Sequence, residues 1–60
     1  MIVDAAKVRP GNLVEMQSGA RYLVQRVRQY RGSLPEFVGG VVAHLSDGGR
    51  IVLAGTVVIR

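Results

Sequence analysis

Apolar residues gather in short stretches along this chain, and each stretch stops at a glycine, a proline or a cluster of small polar residues. Leu13-Val14-Glu15-Met16 is the first such stretch, and Gln17-Ser18-Gly19-Ala20 can reverse the chain into Arg21 to Tyr30. A loop from Arg31 to Glu36, broken by Gly32 and Pro35, leads to Phe37 to Leu45. Ser46-Asp47-Gly48-Gly49 then turns the chain into Arg50 to Ala54, and Gly55-Thr56 separates that run from Val57 to Arg60. Runs of four to eight residues rich in Val, Ile, Tyr and Phe, bounded by turn residues, are read as strands. The pattern predicts five strands. Pro10-Gly11 suits the centre of a type II turn, because Pro fixes φ near −65° and Gly accepts the positive φ that follows. Ahead of it, Asp4-Ala5-Ala6-Lys7 can form one helical turn with Asp4 as its N-cap, ending as the chain approaches Pro10.

One segment supports two readings. Ala20, Leu23, Val24, Val27 and Tyr30 fall at helical spacing, with Ser18 as a cap and Gly32 as a stop. Against a helix, Tyr22, Val24, Val27 and Tyr30 are residue types that favour strands, and Gly19 weakens a first helical turn. The strand reading is preferred, and it needs a bulge near Gln25-Arg26 to move the inward parity from Tyr22 and Val24 to Val27.

The C-terminal half carries apolar residues on both faces. Phe37, Val41, Ala43 and Leu45 alternate with Val38 and Val42, while Ile51, Leu53, Val57 and Ile59 alternate with Val52, Ala54 and Val58. A half-buried strand alternates apolar with polar, so apolar residues on both faces imply cover on both. A 60-residue chain buries only about 60% of the surface its unfolded form exposes. With 48% hydrophobic residues, no Cys and a single His44, the chain has an apolar surplus and neither a disulfide nor a thiolate metal site to stabilise it. Self-association is therefore expected, with Val42, Val52, Ala54 and Val58 as interface residues. No apolar run approaches the ~20 residues of a membrane span. Met1-Ile2-Val3-Asp4 has no basic start or apolar run of a leader, so a cytoplasmic location is the expectation.

Charge adds a second theme. Seven Arg and one Lys against four acids give a net charge of +4. Arg21, Arg26, Arg28 and Arg31 lie within eleven residues, beside Tyr22 and Tyr30. Arg forms planar bidentate contacts to phosphate, and an aromatic ring can stack on a base. On a regular strand Arg26, Arg28 and Tyr30 share one face. Set against this is the plain reading of a solvated strand face kept basic to discourage edge pairing.

Catalytic constellations are scarce. Ser18, Ser33 and Ser46 sit in expected turns, where Ser bonds local backbone. His44 and Asp47 are the one His/acid pair close in sequence, but they straddle a turn and lack a nucleophile. The glycines at 39-40 and 48-49 fit no phosphate loop, because no Gly-x-x-x-x-Gly-Lys follows a strand into a helix. No enzyme, metal or cofactor is expected.

Two families share parts of this pattern. Val8-Arg9-Pro10-Gly11-Asn12-Leu13-Val14-Glu15, followed by Gly19-Ala20-Arg21-Tyr22-Leu23-Val24, resembles the opening of the N-terminal KOW-type barrel of elongation factor P. The resemblance covers about half the chain and implies an SH3-like barrel of a kind that often touches RNA. The stretch from Gly11 through Ser18-Gly19-Ala20 to Gln25, Val27 and Tyr30 is also similar to the plasmid-borne type II dihydrofolate reductases. Their active pore uses a Val-Gln-Ile-Tyr strand, and this chain has Ile51-Val52-Leu53-Ala54 there. Val52 and Ala54 cannot hydrogen-bond a pterin or nicotinamide, so that resemblance implies a symmetric oligomer and not the reaction.

The sequence thus predicts one all-β domain over residues 1–60, a five-stranded SH3-like barrel with one short helical turn near its start. Its expected role is a non-enzymatic module that contacts RNA or DNA through Arg21, Tyr22, Arg26, Arg28, Tyr30 and Arg31. The alternative is a self-associating accessory protein, of phage or mobile-element type, that meets a protein partner through its apolar C-terminal strands.

Overall fold

The computed structural model describes all residues, Met1 to Arg60. Six strands form one antiparallel sheet: β1 Ile2–Asp4, β2 Leu13–Glu15, β3 Arg21–Gln29, β4 Val41–Leu45, β5 Arg50–Leu53 and β6 Thr56–Ile59. Their order across the sheet is β1-β6-β2-β3-β4-β5. Two tight turns and the longer loop over residues 30–40 join β2 through β5 into a meander, and β6 returns to lie beside β2. β3, with 9 residues, is long enough to pair with β2 through its first half and with β4 through its second. β1 and β5 are the two edges.

The all-β class follows the sequence pattern, and so does the choice of strand over helix for residues 21–29. The bulge falls where the parity required it, between Val24 and Arg26. Asp4 caps the following 3-10 turn, Ala5–Lys7, by accepting the Ala6 N–H at 3.1 Å. At Pro10-Gly11 the Asn12 N–H closes the turn onto the Arg9 carbonyl at 3.1 Å, with Gly11 at φ 92°.

The two hairpins that shape the sheet are built alike. In the first, the Gly19 N–H donates to the Met16 carbonyl at 2.9 Å and the Met16 N–H to the Ala20 carbonyl at 2.8 Å. In the second, Gly48 donates to Leu45 at 3.1 Å and Leu45 to Gly49 at 2.8 Å. Each is a three-residue connection whose last residue has a positive φ, 89° at Gly19 and 90° at Gly48. That conformation forces the Cβ of an L-residue against its own carbonyl, so glycine belongs there. Asp47 adds a local bond by accepting the Gly49 N–H at 2.8 Å.

Two expectations change. The predicted five strands become six, because β1 forms by pairing Ile2, Val3 and Asp4 with Val58, Val57 and Thr56. No local signal announces so short a strand; its partner lies at the other end of the chain. The stretch from Phe37 to Leu45 is strand only from Val41. Pro35–Phe37 instead forms a 3-10 turn, and Gly39 at φ 85° separates it from β4.

The core lies on the inner face of the sheet. Ala5, Val8, Val14, Val24, Val41, Ala43, Leu45 and Leu53 are buried together, with Val3, Met16, Tyr22, Val27, Ile51, Val57 and Ile59 packed around them. Strand residues alternate across the sheet, so their neighbours in sequence form the outer face. On β3 to β5 these are Arg26, Arg28, Val42, His44, Arg50 and Val52.

Candidate nucleic-acid interface

The outer face of β3, β4 and β5 is arranged in two cross-strand rows. Arg26 pairs with His44, and His44 with Arg50. One step along the strands, Arg28 pairs with Val42, and Val42 with Val52. Directly opposed residues in antiparallel strands bring their Cβ atoms to about 4.5–5.5 Å. Three guanidinium groups are thereby set around one imidazole.

The bulge in β3 creates this arrangement. Before it, Tyr22 and Val24 point inward; after it Val27 takes the inward position and Arg26 and Arg28 turn outward. A regular strand would have placed Arg26 on the Val24 side, where a cation would enter the core. Beside the bulge lies a polar cavity of about 390 Å³ lined by Gln25, Arg26, His44, Leu45, Gly48 and Gly49. Its walls are thus the bulge on one side and the second hairpin on the other.

His44 links the rows. The Arg28 Nε–H donates to His44 Nε2 at 3.2 Å. An imidazole that accepts at Nε2 is neutral and carries its proton on Nδ1. Desolvation, and then the charges of Arg26, Arg28 and Arg50, hold the His44 pKa below its usual 6.5. Asp47, its neighbour in sequence, serves the turn by bonding Gly49.

No acid neutralises these three arginines. The ion pairs of the chain both belong to Glu15, which meets Arg21 Nε at 3.0 Å and Arg60 Nη2 at 2.7 Å. Arg60 first and Arg21 second, through their hydrogen bonds, hold the Glu15 carboxyl below its usual range. Arg21 therefore belongs to a compensated cluster on β2, β3 and the end of β6, apart from Arg26 and Arg28.

The remaining residues of the predicted basic strand divide further. Tyr22 packs against the core from the inner face. Tyr30 lies just past β3, where its ring meets Phe37 edge-on at 5.6 Å and 71°. Its hydroxyl accepts the Leu34 N–H at 3.2 Å, and Gly32 lies so close under the ring that any Cβ there would collide with it. Arg31 is exposed in the loop that follows. Of the six predicted contact residues, only Arg26 and Arg28 share the central site. His44 and Arg50 complete it. The sequence signal for them was the second hairpin, since a three-residue turn at 46–48 sets His44 opposite Arg50.

The predicted interface residues also divide. Val52, Ala54 and Val58 line one groove of about 750 Å³, together with Ile2, Met16 and Phe37. The groove runs beside β5, a free edge of the sheet. Val42 lies elsewhere, between Arg28 and Val52, and is only 7% exposed in the single chain. Its burial needs no second subunit.

No three His, Cys, Asp or Glu side chains are grouped to hold a metal ion. No family model, curated protein or solved structure matches the chain. Function is therefore read from the site: a cluster of fixed cations beside a polar cavity can hold oxyanions, and phosphate suits the guanidinium fork.

Proposed function

We propose that the chain is a non-enzymatic nucleic-acid-binding module on a small SH3-like framework, and that Arg26, Arg28 and Arg50 hold backbone phosphates around His44. The carrying observation is that three of the seven arginines surround His44 on one sheet face with no acid paired to them. Uncompensated cations crowded together repel one another and are stabilised by a polyanion that lies across them. Phosphate neutralisation releases counterions, so binding weakens with salt. Fluorescence anisotropy of labelled mixed-sequence DNA and RNA tests the reading: affinity falls linearly with log salt in the wild type, and Arg26→Glu with Arg28→Glu abolishes binding while the far-ultraviolet spectrum keeps its strand signature. Salt-independent binding, or binding that survives both reversals, contradicts it.

The groove supports a second reading, a self-associating protein in which a second copy covers Val52, Ala54 and Val58. Ile2, at the groove's rim, is 72% exposed, and the β5 edge beside it has unpaired backbone groups. Sedimentation over a concentration series checks this: a concentration-dependent dimer that Val58→Asp dissociates supports it, and a monomer at all concentrations removes it. The two readings share Val52, which ends the Arg28–Val42 row and also lines the groove, and otherwise use different residues.

A further inference from the structure

We infer that the cationic face grips double-helical nucleic acid through its phosphates alone, without stacking on bases; this rests on the binding-module reading above. Proteins that hold single strands combine a basic groove with aromatic rings on which successive bases stack, worth about 1–3 kcal/mol per base. This face has the cations and lacks the rings. The chain contains three aromatic residues, and each is already placed. Tyr22 is turned into the core. Tyr30 and Phe37 meet edge-on, with the Tyr30 hydroxyl held by the Leu34 N–H and Gly32 against the ring. Freeing Tyr30 to stack would undo all of these contacts.

The other positions of the face are aliphatic, the buried Val42 and the half-buried Val52. Neither has a donor or acceptor to read a base edge, and His44 Nε2 is taken by Arg28. What remains is a grid of charge. Arg26 and Arg28 are two residues apart on one strand, about 6.6–6.8 Å, and Arg26 and Arg50 are two strand spacings apart, about 9.5 Å. Such a grid meets rigid, closely spaced phosphates best. Duplex DNA carries one charge per about 1.7 Å of axis and has a salt slope of about −0.9 per contact, against about −0.7 for single strands. With stacking absent, counterion release decides, and it favours the duplex.

The test compares labelled duplex DNA, duplex RNA and each constituent single strand of mixed sequence, by anisotropy at several low salt concentrations. Duplexes are expected to bind several-fold tighter than their strands, with little dependence on sequence and a slope of about −2.7 on DNA for three contacts. Tyr30→Phe and Tyr30→Leu are expected to leave both affinities within about twofold. Tighter binding to single strands, or a loss of affinity in Tyr30→Leu that Tyr30→Phe restores, overturns the inference while the binding-module reading stands. No binding to any of the probes at the lowest salt overturns both.

Discussion

Two clusters of arginine lie on the outside of this sheet, and they have opposite electrostatic designs. On β2, β3 and the end of β6, Arg21 and Arg60 converge on the single carboxylate of Glu15. On β3, β4 and β5, Arg26, Arg28 and Arg50 converge on a neutral histidine. The first cluster is nearly self-sufficient and ties the last residue of the chain to the first hairpin. The second leaves its charge unanswered. Arg21 and Arg26 are only five positions apart in sequence, so density of arginine along a chain says little about which arginines act together; the bulge and the pairing register decide that.

The largest expected effect comes from reversing the uncompensated cluster. Arg26→Glu with Arg28→Glu should weaken duplex binding by about a hundredfold or more at low salt, because two phosphate contacts become repulsions. The matched pair Arg21→Glu with Arg60→Glu should cost far less binding and more stability, since it surrounds Glu15 with like charge. If the two pairs weaken binding equally, the division between the clusters is wrong. Arg50→Ala comes next, and should lower the salt slope on duplex DNA by about 0.9, the contribution of one contact.

Acidity separates the clusters in a graded way. Folding lowers the His44 pKa from 6.5, so this group contributes stability that is fully present above that value and is lost as pH falls through the folded one. Bound phosphate offsets the arginine charges and favours the imidazolium, which would release Arg28 and donate from Nε2 itself. Duplex affinity should therefore rise below pH 6.5 while the stability of the free protein falls, and His44→Gln should flatten both profiles. Glu15 has the ordinary carboxylate behaviour. Its pKa is lowered from 4.5, so its stabilising effect is present above that value and disappears as pH falls through the folded one. Chemical denaturation of wild type and Glu15→Gln should show a gap at neutral pH that closes in acid, with duplex affinity changed by less than about threefold, the smallest effect on binding. A gap that persists in acid would mean that Glu15 acts through packing and not through charge.

The hairpins offer a check that involves neither cluster's charge. Gly48→Ala places a side chain at φ 90° and should destabilise the fold by about 1–2 kcal/mol. Since Gly48 also lines the cavity beside Arg26 and His44, its binding should suffer more than that of Gly19→Ala, which carries the same strain at the other hairpin.

What could be read in the sequence was whatever has a local cause. Pro10-Gly11, Ser46 to Gly49 and the Asp4 cap depend on residues within a few positions of one another, and all three form. The β3 bulge was also legible, because the inward parity of Tyr22 and Val24 cannot continue to Val27 without an extra residue. The same parity already placed Tyr22 in the core, which removes it from any stacking surface. The non-local features were hidden. β1 exists through its pairing with β6, and Glu15 captures Arg60 from 45 positions away. Half of the site was visible as Arg26 and Arg28; the other half, His44 and Arg50, appears only when the hairpin register is laid beside β3. Strand alternation assigns Val42 to the outer face, but its burial by the chain itself, between Arg28 and Val52, depends on the register of three strands and was not legible locally.

The most direct test is to record backbone and arginine side-chain NMR shifts of the labelled protein during titration with a short mixed-sequence duplex at low salt. Perturbations concentrated at Arg26, Arg28, His44 and Arg50, with the Glu15, Arg21 and Arg60 signals unmoved, are the predicted result. Shifts centred on Arg21 and Arg60, or confined to the groove at Val52, Ala54 and Val58, would contradict the assignment of the uncompensated cluster as the working surface.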